Sequence, residues 1–178
     1  VSRRVFGMFN AFLSDESHQG KILFGAATNR PDLIDPSTIR AGRFDLKVPF
    51  LSPDEATREA ILRVILKTLG IKARGTKLDE IAQKTAGYSG ADLREIIRLS
   101  QRRSVFEGHK SVTQTDLDYA VGDYLSPNAA RADEIRLMEL LAIANTTSRA
   151  MLTKDQLRLI ESGELHPEIE RLKSRIGE

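Results

Sequence analysis

The sequence predicts a mostly helical protein with a short piece of parallel α/β structure at its N-terminal end. Three observations predict it. Ser52-Pro53-Asp54-Glu55, Ser89-Gly90-Ala91-Asp92 and Thr113-Gln114-Thr115-Asp116 each set an N-cap hydroxyl three residues ahead of an acid, the pattern of a capping box. Ile22 to Ala27 is a continuous apolar run too short for a helix, which suits a strand covered on both faces. Trp is absent and there are 7 Phe and 3 Tyr, so a core must be built from Leu, Ile, Val and Ala, a mix that favours helices.

Taken in order, Val5, Met8, Phe9, Phe12 and Leu13 recur at helical spacing and predict an amphipathic helix over 2–13. Ser14 to Gly20 is polar and ends it. The strand over 22–27 leads into Thr28-Asn29-Arg30-Pro31-Asp32, which is loop chemistry. Asp35-Pro36 predicts a brief helix closed by Gly42, and 45–51 reads as a second strand. The capping boxes then open helices over 52–69, 89–107 and 113–124, with a shorter one over 78–85. Ser126-Pro127-Asn128 reads as a linker. A helix is expected over 132–151, another behind Thr153, and a last one from Pro167. The expected organisation is therefore 1–51 α/β, 52–125 helical, and 126–178 a helical extension.

At 178 residues the chain suits one ordinary domain or two small ones. The hydrophobic share of 40% fills a core, and the charged share of 29% keeps the surface in water. A net charge of +2 is too small to argue for a nucleic-acid or membrane partner. Cysteine is absent, which removes disulfides, thiolate metal sites and a Cys nucleophile and fits a reducing, cytoplasmic setting. No apolar run approaches the ~20 residues that span a bilayer. Val1 enters a helical pattern directly, without an initiator Met, so the chain is expected to be a piece of a longer polypeptide.

Three places carry candidate chemistry. Asn29 stands where the first strand ends, and ligands of open α/β sheets bind beyond the carboxyl ends of strands. Its amide suits a water or a phosphate oxygen, or it simply caps a turn. Arg40 and Arg43 flank Gly42, and a planar, permanently charged guanidinium meets phosphate oxygens bidentately. The alternative is a solvated loop in which Arg43 pairs with Asp45. Gly87-Tyr88-Ser89-Gly90-Ala91-Asp92-Leu93 places glycine at a helix start, where amide hydrogens face out towards an anion or a base edge; a purely structural cap reads the same way.

Taken together, Phe24 to Asp45, Pro49 to Pro53-Asp54 and Gly87 to Leu93 resemble the AAA ATPase family. The nearest clade holds Cdc48-type segregases, katanin, spastin and FtsH proteases. The resemblance covers roughly 1–124. It implies the C-terminal portion of a P-loop NTPase core followed by a four-helix lid. It implies that Asn29 is sensor 1, which positions the attacking water, and that Arg40 and Arg43 are arginine fingers reaching a neighbouring subunit's nucleotide. Gly90 and Ala91 match lid positions beside the adenosine, and Ile61 and Ile65 match positions lining the adenine pocket. ATP with Mg²⁺ is the implied cofactor. A hexameric ring acting on protein substrates is the implied assembly, with no nucleic acid and no membrane segment in this chain. Arg3 and Arg4 match a helix whose arginines often face the adjacent subunit; a solvated helix end is the equal alternative.

The sequence departs from the family pattern by lacking any Gly-x-x-x-x-Gly-Lys-Ser/Thr loop and any Mg²⁺-organising Asp-Glu strand end, so this chain alone is expected to be inactive. Arg94, Arg98 and Arg102 form an i, i+4, i+8 row expected to be a solvated or subunit-facing basic face, since no aromatics interleave for base stacking. His18, His109 and His166 lack ligand spacing, and no metal site is expected. A helical interaction module without catalysis is the alternative reading of the whole.

Overall fold

The structure, a computed structural model, describes residues 3–18, 20–40 and 42–177. Val1, Ser2 and the side chains of Arg3 and His18 lie outside the described residues, as does Ala41. The expectations that fall on them, including the subunit-facing role of Arg3, are left there. Eight helices are described: α1 Arg3–Leu13, α2 Glu55–Thr68, α3 Leu78–Lys84, α4 Gly90–Phe106, α5 Gln114–Asp123, α6 Ala132–Asn145, α7 Lys154–Glu161 and α8 Leu165–Gly177. They fall into two compact units, 52–132 and 1–51 with 133–178.

In the 52–132 unit, α4 packs on α2 and α5, and α3 packs on α2. Leu62, Ile65 and Leu66 of α2 meet Leu93 and Ile97 of α4, with Leu78, Ile81, Val112 and Leu117 completing the core. The loop after α2 is pinned by a parallel bridge between Ala73 and Val112. Gly70 makes that exit possible. At φ +64° it takes the left-handed position beyond the helix end, and the next amide, of Ile71, reaches back to Leu66 O at 3.0 Å. Arg58 is buried, donating from Nε to Ala82 O at 2.9 Å and from Nη1 to Pro53 O at 2.7 Å, so it ties the start of α2 to the end of α3.

The capping boxes at Ser89 and Thr113 form as the sequence predicts, and Thr153 caps α7 with Gln156. The first box differs. Asp54, not Ser52, is the N-cap of α2, its carboxylate accepting from Thr57 N at 2.8 Å, and Pro53 lies ahead of the helix rather than at its first position. An ionised carboxylate at an N-terminus meets both the orphan amides and the helix dipole, which an uncharged hydroxyl two residues earlier cannot match.

In the other unit, α6 and α8 share a core of Leu137, Leu140, Ile143, Leu165, Ile169 and Leu172, against which Leu51, Leu152 and Leu159 pack. The helix predicted over 132–151 stops at Asn145. Thr146 Oγ1 returns to Ala142 O at 2.9 Å, and Thr147 Oγ1 accepts from Lys47 N at 3.0 Å. Hydroxyls competing for backbone groups end a helix in this way, and one 3-10 turn, Arg149–Met151, follows.

The two predicted strands are not formed. Among the described residues there is no strand ladder, and 22–27 and 45–51 have no regular secondary structure, with Leu23 97% and Phe50 92% exposed. A helix closes its hydrogen bonds within its own segment, whereas a strand exists only when a neighbour pairs with it, and neither segment has one here. The expected helix at Asp35-Pro36 is also absent. Asp35 Oδ1 accepts from Ser37 N at 2.7 Å and Asp35 O from Thr38 N at 2.9 Å, so the aspartate closes a turn on itself.

Two predictions follow from the packing and the caps. Leu93→Ala, at a fully buried position, should cost about 2–5 kcal/mol in a denaturant titration. A cost below about 1 kcal/mol would mean that the α2–α4 contact is loose. Burial pushes the Asp92 and Asp116 carboxyls up, but hydrogen bonds from Ser89 and Tyr124 to the first, and from Thr113 and His109 to the second, hold both below the ordinary range. A depressed folded pKa contributes stability above the unfolded value, near 4, which is lost as pH falls through the folded value. Unfolding free energy should therefore drop below about pH 4, and Asp116→Asn should flatten that drop.

Candidate functional site

An open groove of about 700 Å³ runs between α2 and α4. Thr57, Ala60, Ile61, Val64 and Ile65 line it from α2, and Gly90, Ala91, Arg94, Glu95 and Arg98 line it from α4. Helical periodicity explains both sets. Thr57, Ile61 and Ile65 stand one turn apart, as do Gly90, Arg94 and Arg98, so each helix offers one stripe. All four positions that the family pattern assigns to the nucleoside, Ile61, Ile65, Gly90 and Ala91, lie on this surface, from stretches separated by a helix and its loops.

The groove has an apolar floor and a charged rim. Ile65 is buried and Ile61 half-buried, which makes the floor aliphatic. A Cβ added at Gly90 would meet nothing within 4 Å, and the residue's φ is not in the left-handed region, so neither packing nor backbone conformation requires glycine there. Room beside the first turn of α4 is what that position supplies. The first amides of a helix have no intrahelical acceptor and attract an electronegative ligand. At the rim, Glu95 is held by Arg102 at 2.8 Å and Arg98 at 3.9 Å, while Arg94 is exposed.

The first turn of α4 is firmly held. Gly87, at φ +79°, turns the chain into Tyr88 and Ser89. Ser89 Oγ accepts from Asp92 N, and Asp92 Oδ2 accepts from Ser89 N at 2.8 Å. Tyr124 O–H donates to Asp92 Oδ1 at 2.7 Å, and that hydrogen bond, with burial and the carboxylate's charge adding to it, pushes the phenol up to about 12.

The other three candidates lie on the 1–51 segment, where the charges of Arg40 and Arg43 both bear on Asp35. Asn29 is exposed in a bend, beside a turn in which Thr28 Oγ1 accepts from Arg30 N at 3.0 Å. Arg40 is exposed, and among the described residues it has no hydrogen bond or ion pair. Arg43 is engaged. Its Nε donates to Ser14 Oγ at 2.8 Å and its Nη1 to Ser37 O, tying the end of α1 to the 35–38 turn, which Asn10 also holds through Ser37 and Thr38. Asp45 is not its partner; that carboxylate accepts from Gly42 N at 2.7 Å. Among the described residues no cluster of three metal-ligating side chains occurs, and no helix is long and apolar enough to cross a membrane.

Four helices, three of them opened by side-chain caps, make up the unit that holds the groove. Residues 76–119 match the model of the AAA+ lid domain, and residues 1–51 match that of the ATPase family associated with various cellular activities. Among curated relatives, the chain is 36% identical over 132 residues to the ATP-dependent zinc metalloprotease FtsH 3 of Sphaerobacter thermophilus, a match covering 74% of this chain and 27% of the relative. FtsH of Mycoplasma mobile is 36% identical over 137 residues (77% and 19%), and FtsH of Neorickettsia risticii is 41% identical over 105 residues (59% and 16%). The chain belongs to the AAA ATPase family, in its FtsH-like clade, and carries the C-terminal ATPase part with the lid. It spans roughly a quarter or less of the length of these relatives.

Reading the sequence missed the groove's remaining lining. Thr57 and Val64 were legible as i−4 and i+3 neighbours of Ile61, and Arg94 and Arg98 sit one and two turns after Gly90. The row Arg94, Arg98 and Arg102 is exposed, as a solvated or subunit-facing face would be, and its first two members also border the groove.

Arg43 and Arg40 should behave differently as structural elements. Arg43→Ala should speed hydrogen exchange at the Ser37 and Thr38 amides, because Arg43 holds that turn, whereas Arg40→Ala should leave those rates unchanged. Equal effects would contradict the contacts described.

Proposed function

We propose that this chain supplies the lid and the trans-acting arginines of an ATPase that works as a ring, hexameric in the family pattern. Such a ring couples ATP·Mg²⁺ hydrolysis to the remodelling of protein substrates. The observation that carries the reading is the α2–α4 groove, which gathers Ile61, Ile65, Gly90 and Ala91 on one concave surface with open space at Gly90. The adenine base would lie on the isoleucines and the ribose beside the first turn of α4. When bound, ATP·Mg²⁺ supplies the phosphoryl group transferred to water; this chain's residues orient the nucleoside and stabilise charge.

Asn29 would place the attacking water, and Arg40 and Arg43 would reach a neighbouring subunit's phosphates. A guanidinium there offsets charge that grows on the phosphoryl oxygens in the transition state. Arg40 is exposed, its charge bearing on Asp35, and could turn to that role. Arg43 would have to exchange Ser14 and Ser37 for phosphate, or serve by holding the loop that presents Arg40. Because the chain has no phosphate-binding loop, grip on the phosphates would come from elsewhere in the whole protein.

A second reading, a helical interaction module without turnover, draws on Arg43 being occupied by internal contacts. One assay separates the two. In the full-length ring, Arg40→Ala should lower ATP turnover on the order of 10³-fold with assembly intact, as loss of an in-trans finger does. Unchanged turnover in an intact ring would refute the finger role, and absence of turnover in the wild-type ring would favour the module. Ala91→Phe, which projects a ring from an exposed position into the groove, should raise the KM for ATP. The 178-residue chain alone should show neither turnover nor tight ATP binding by calorimetry.

A further inference from the structure

We propose that Tyr124 and Asn128 are positioning residues for the nucleotide groove, acting through the Asp92 carboxylate to fix the first turn of α4. The inference rests on the groove being the nucleoside site.

A capping box needs two residues. At α7, Thr153 N donates to Gln156 Oε1 at 2.9 Å, Gln156 N donates to Thr153 Oγ1 at 3.3 Å, and the box is closed. The box at α4 carries more. Asp92 Oδ2 accepts from Ser89 N at 2.8 Å, Ser89 Oγ at 2.6 Å and Asn128 Nδ2 at 2.8 Å, and Oδ1 accepts from Tyr124 O–H at 2.7 Å. Two of the donors come from beyond the end of α5, more than thirty residues along the chain. The carboxylate is buried, so these bonds are not exchanged for water, and a partnered buried charge tolerates little displacement.

The brace also closes from the opposite side. Tyr88 O–H donates to Tyr124 O at 3.3 Å, and the two rings meet edge to face with centroids 5.8 Å apart. The turn leading into α4 and the exit of α5 therefore hold each other through both their hydroxyls. Asn128 is itself aimed. Ser126, buried, accepts at its Oγ from Asn128 N at 3.2 Å and at its O from Ala129 N at 3.1 Å, which folds 126–129 into a turn. Gly90 and Ala91, immediately before Asp92, line the groove. Anything that moves their amides moves the carboxylate, and anything that frees the carboxylate lets those amides drift. The segment 124–128 thus fixes where the amides of a nucleoside-facing helix start stand, and preorganisation of that kind appears as affinity.

Steady-state kinetics of the full-length protein test this with Tyr124→Phe, which keeps the ring contact and removes the hydroxyl, and with Asn128→Ala. Each should raise the KM for ATP about fivefold or more while kcat stays within about twofold. The double variant should cost less than the product of the two, since both act through one carboxylate. A purely structural brace would lower the thermal midpoint and leave KM unchanged, and that result overturns the proposal. Should Asn128→Ala misfold, Tyr124→Phe carries the test alone. Ala91→Phe separates the two layers. If it leaves KM unchanged, the groove reading itself fails; if it raises KM and the other two variants do not, only the positioning role fails.

Discussion

The contact of α4 with α2 governs what this chain can do. Leu62, Ile65 and Leu66 lock against Leu93 and Ile97, and that apolar seam sets the separation and rotation of the two helices. The groove is the outward side of the same contact. Ile65 belongs to both, buried in the seam and lining the groove, so the floor on which a base would rest is part of the core. A ligand site built this way is as rigid as the packing beneath it, because close-packed side chains transmit displacement rather than absorb it.

The two units differ in how they satisfy their backbones. In 52–132, Asp54, Ser89 and Thr113 cap α2, α4 and α5, and Arg58 closes on Ala82 O and Pro53 O. In 1–51, α1 is amphipathic but leaves Val5, Met8, Phe9 and Phe12 substantially exposed, and the apolar stretches around Leu23 and Phe50 run unpaired. Parallel strands are buried on both faces and bonded on both edges when a sheet is complete.

What could be read from the sequence follows that same division. The helices were legible because a helix is a local object: Ser89 with Asp92 and Thr113 with Asp116 announce their own starts, and both boxes form. The strands were legible as apolar runs but not as structure, since pairing belongs to two segments and periodicity speaks for one. Ile61, Ile65, Gly90 and Ala91 were found individually, by family pattern; that they share a groove with Arg94 and Glu95 follows from helix packing, which no spacing rule contains. The alternative pairing of Arg43 with Asp45 is not formed, for a comparable reason. Two residues are near in sequence, yet Ser14 and Ser37 are what the guanidinium reaches.

The most direct measurement is photolabelling of the full-length protein with an azido-adenine nucleotide, followed by peptide mapping of the attachment site. Adenine seated on the α2–α4 groove predicts labels within 57–65 and 90–98, suppressed by excess ATP. Specific labels that fall wholly outside those two stretches would contradict the assignment of the groove to the nucleoside.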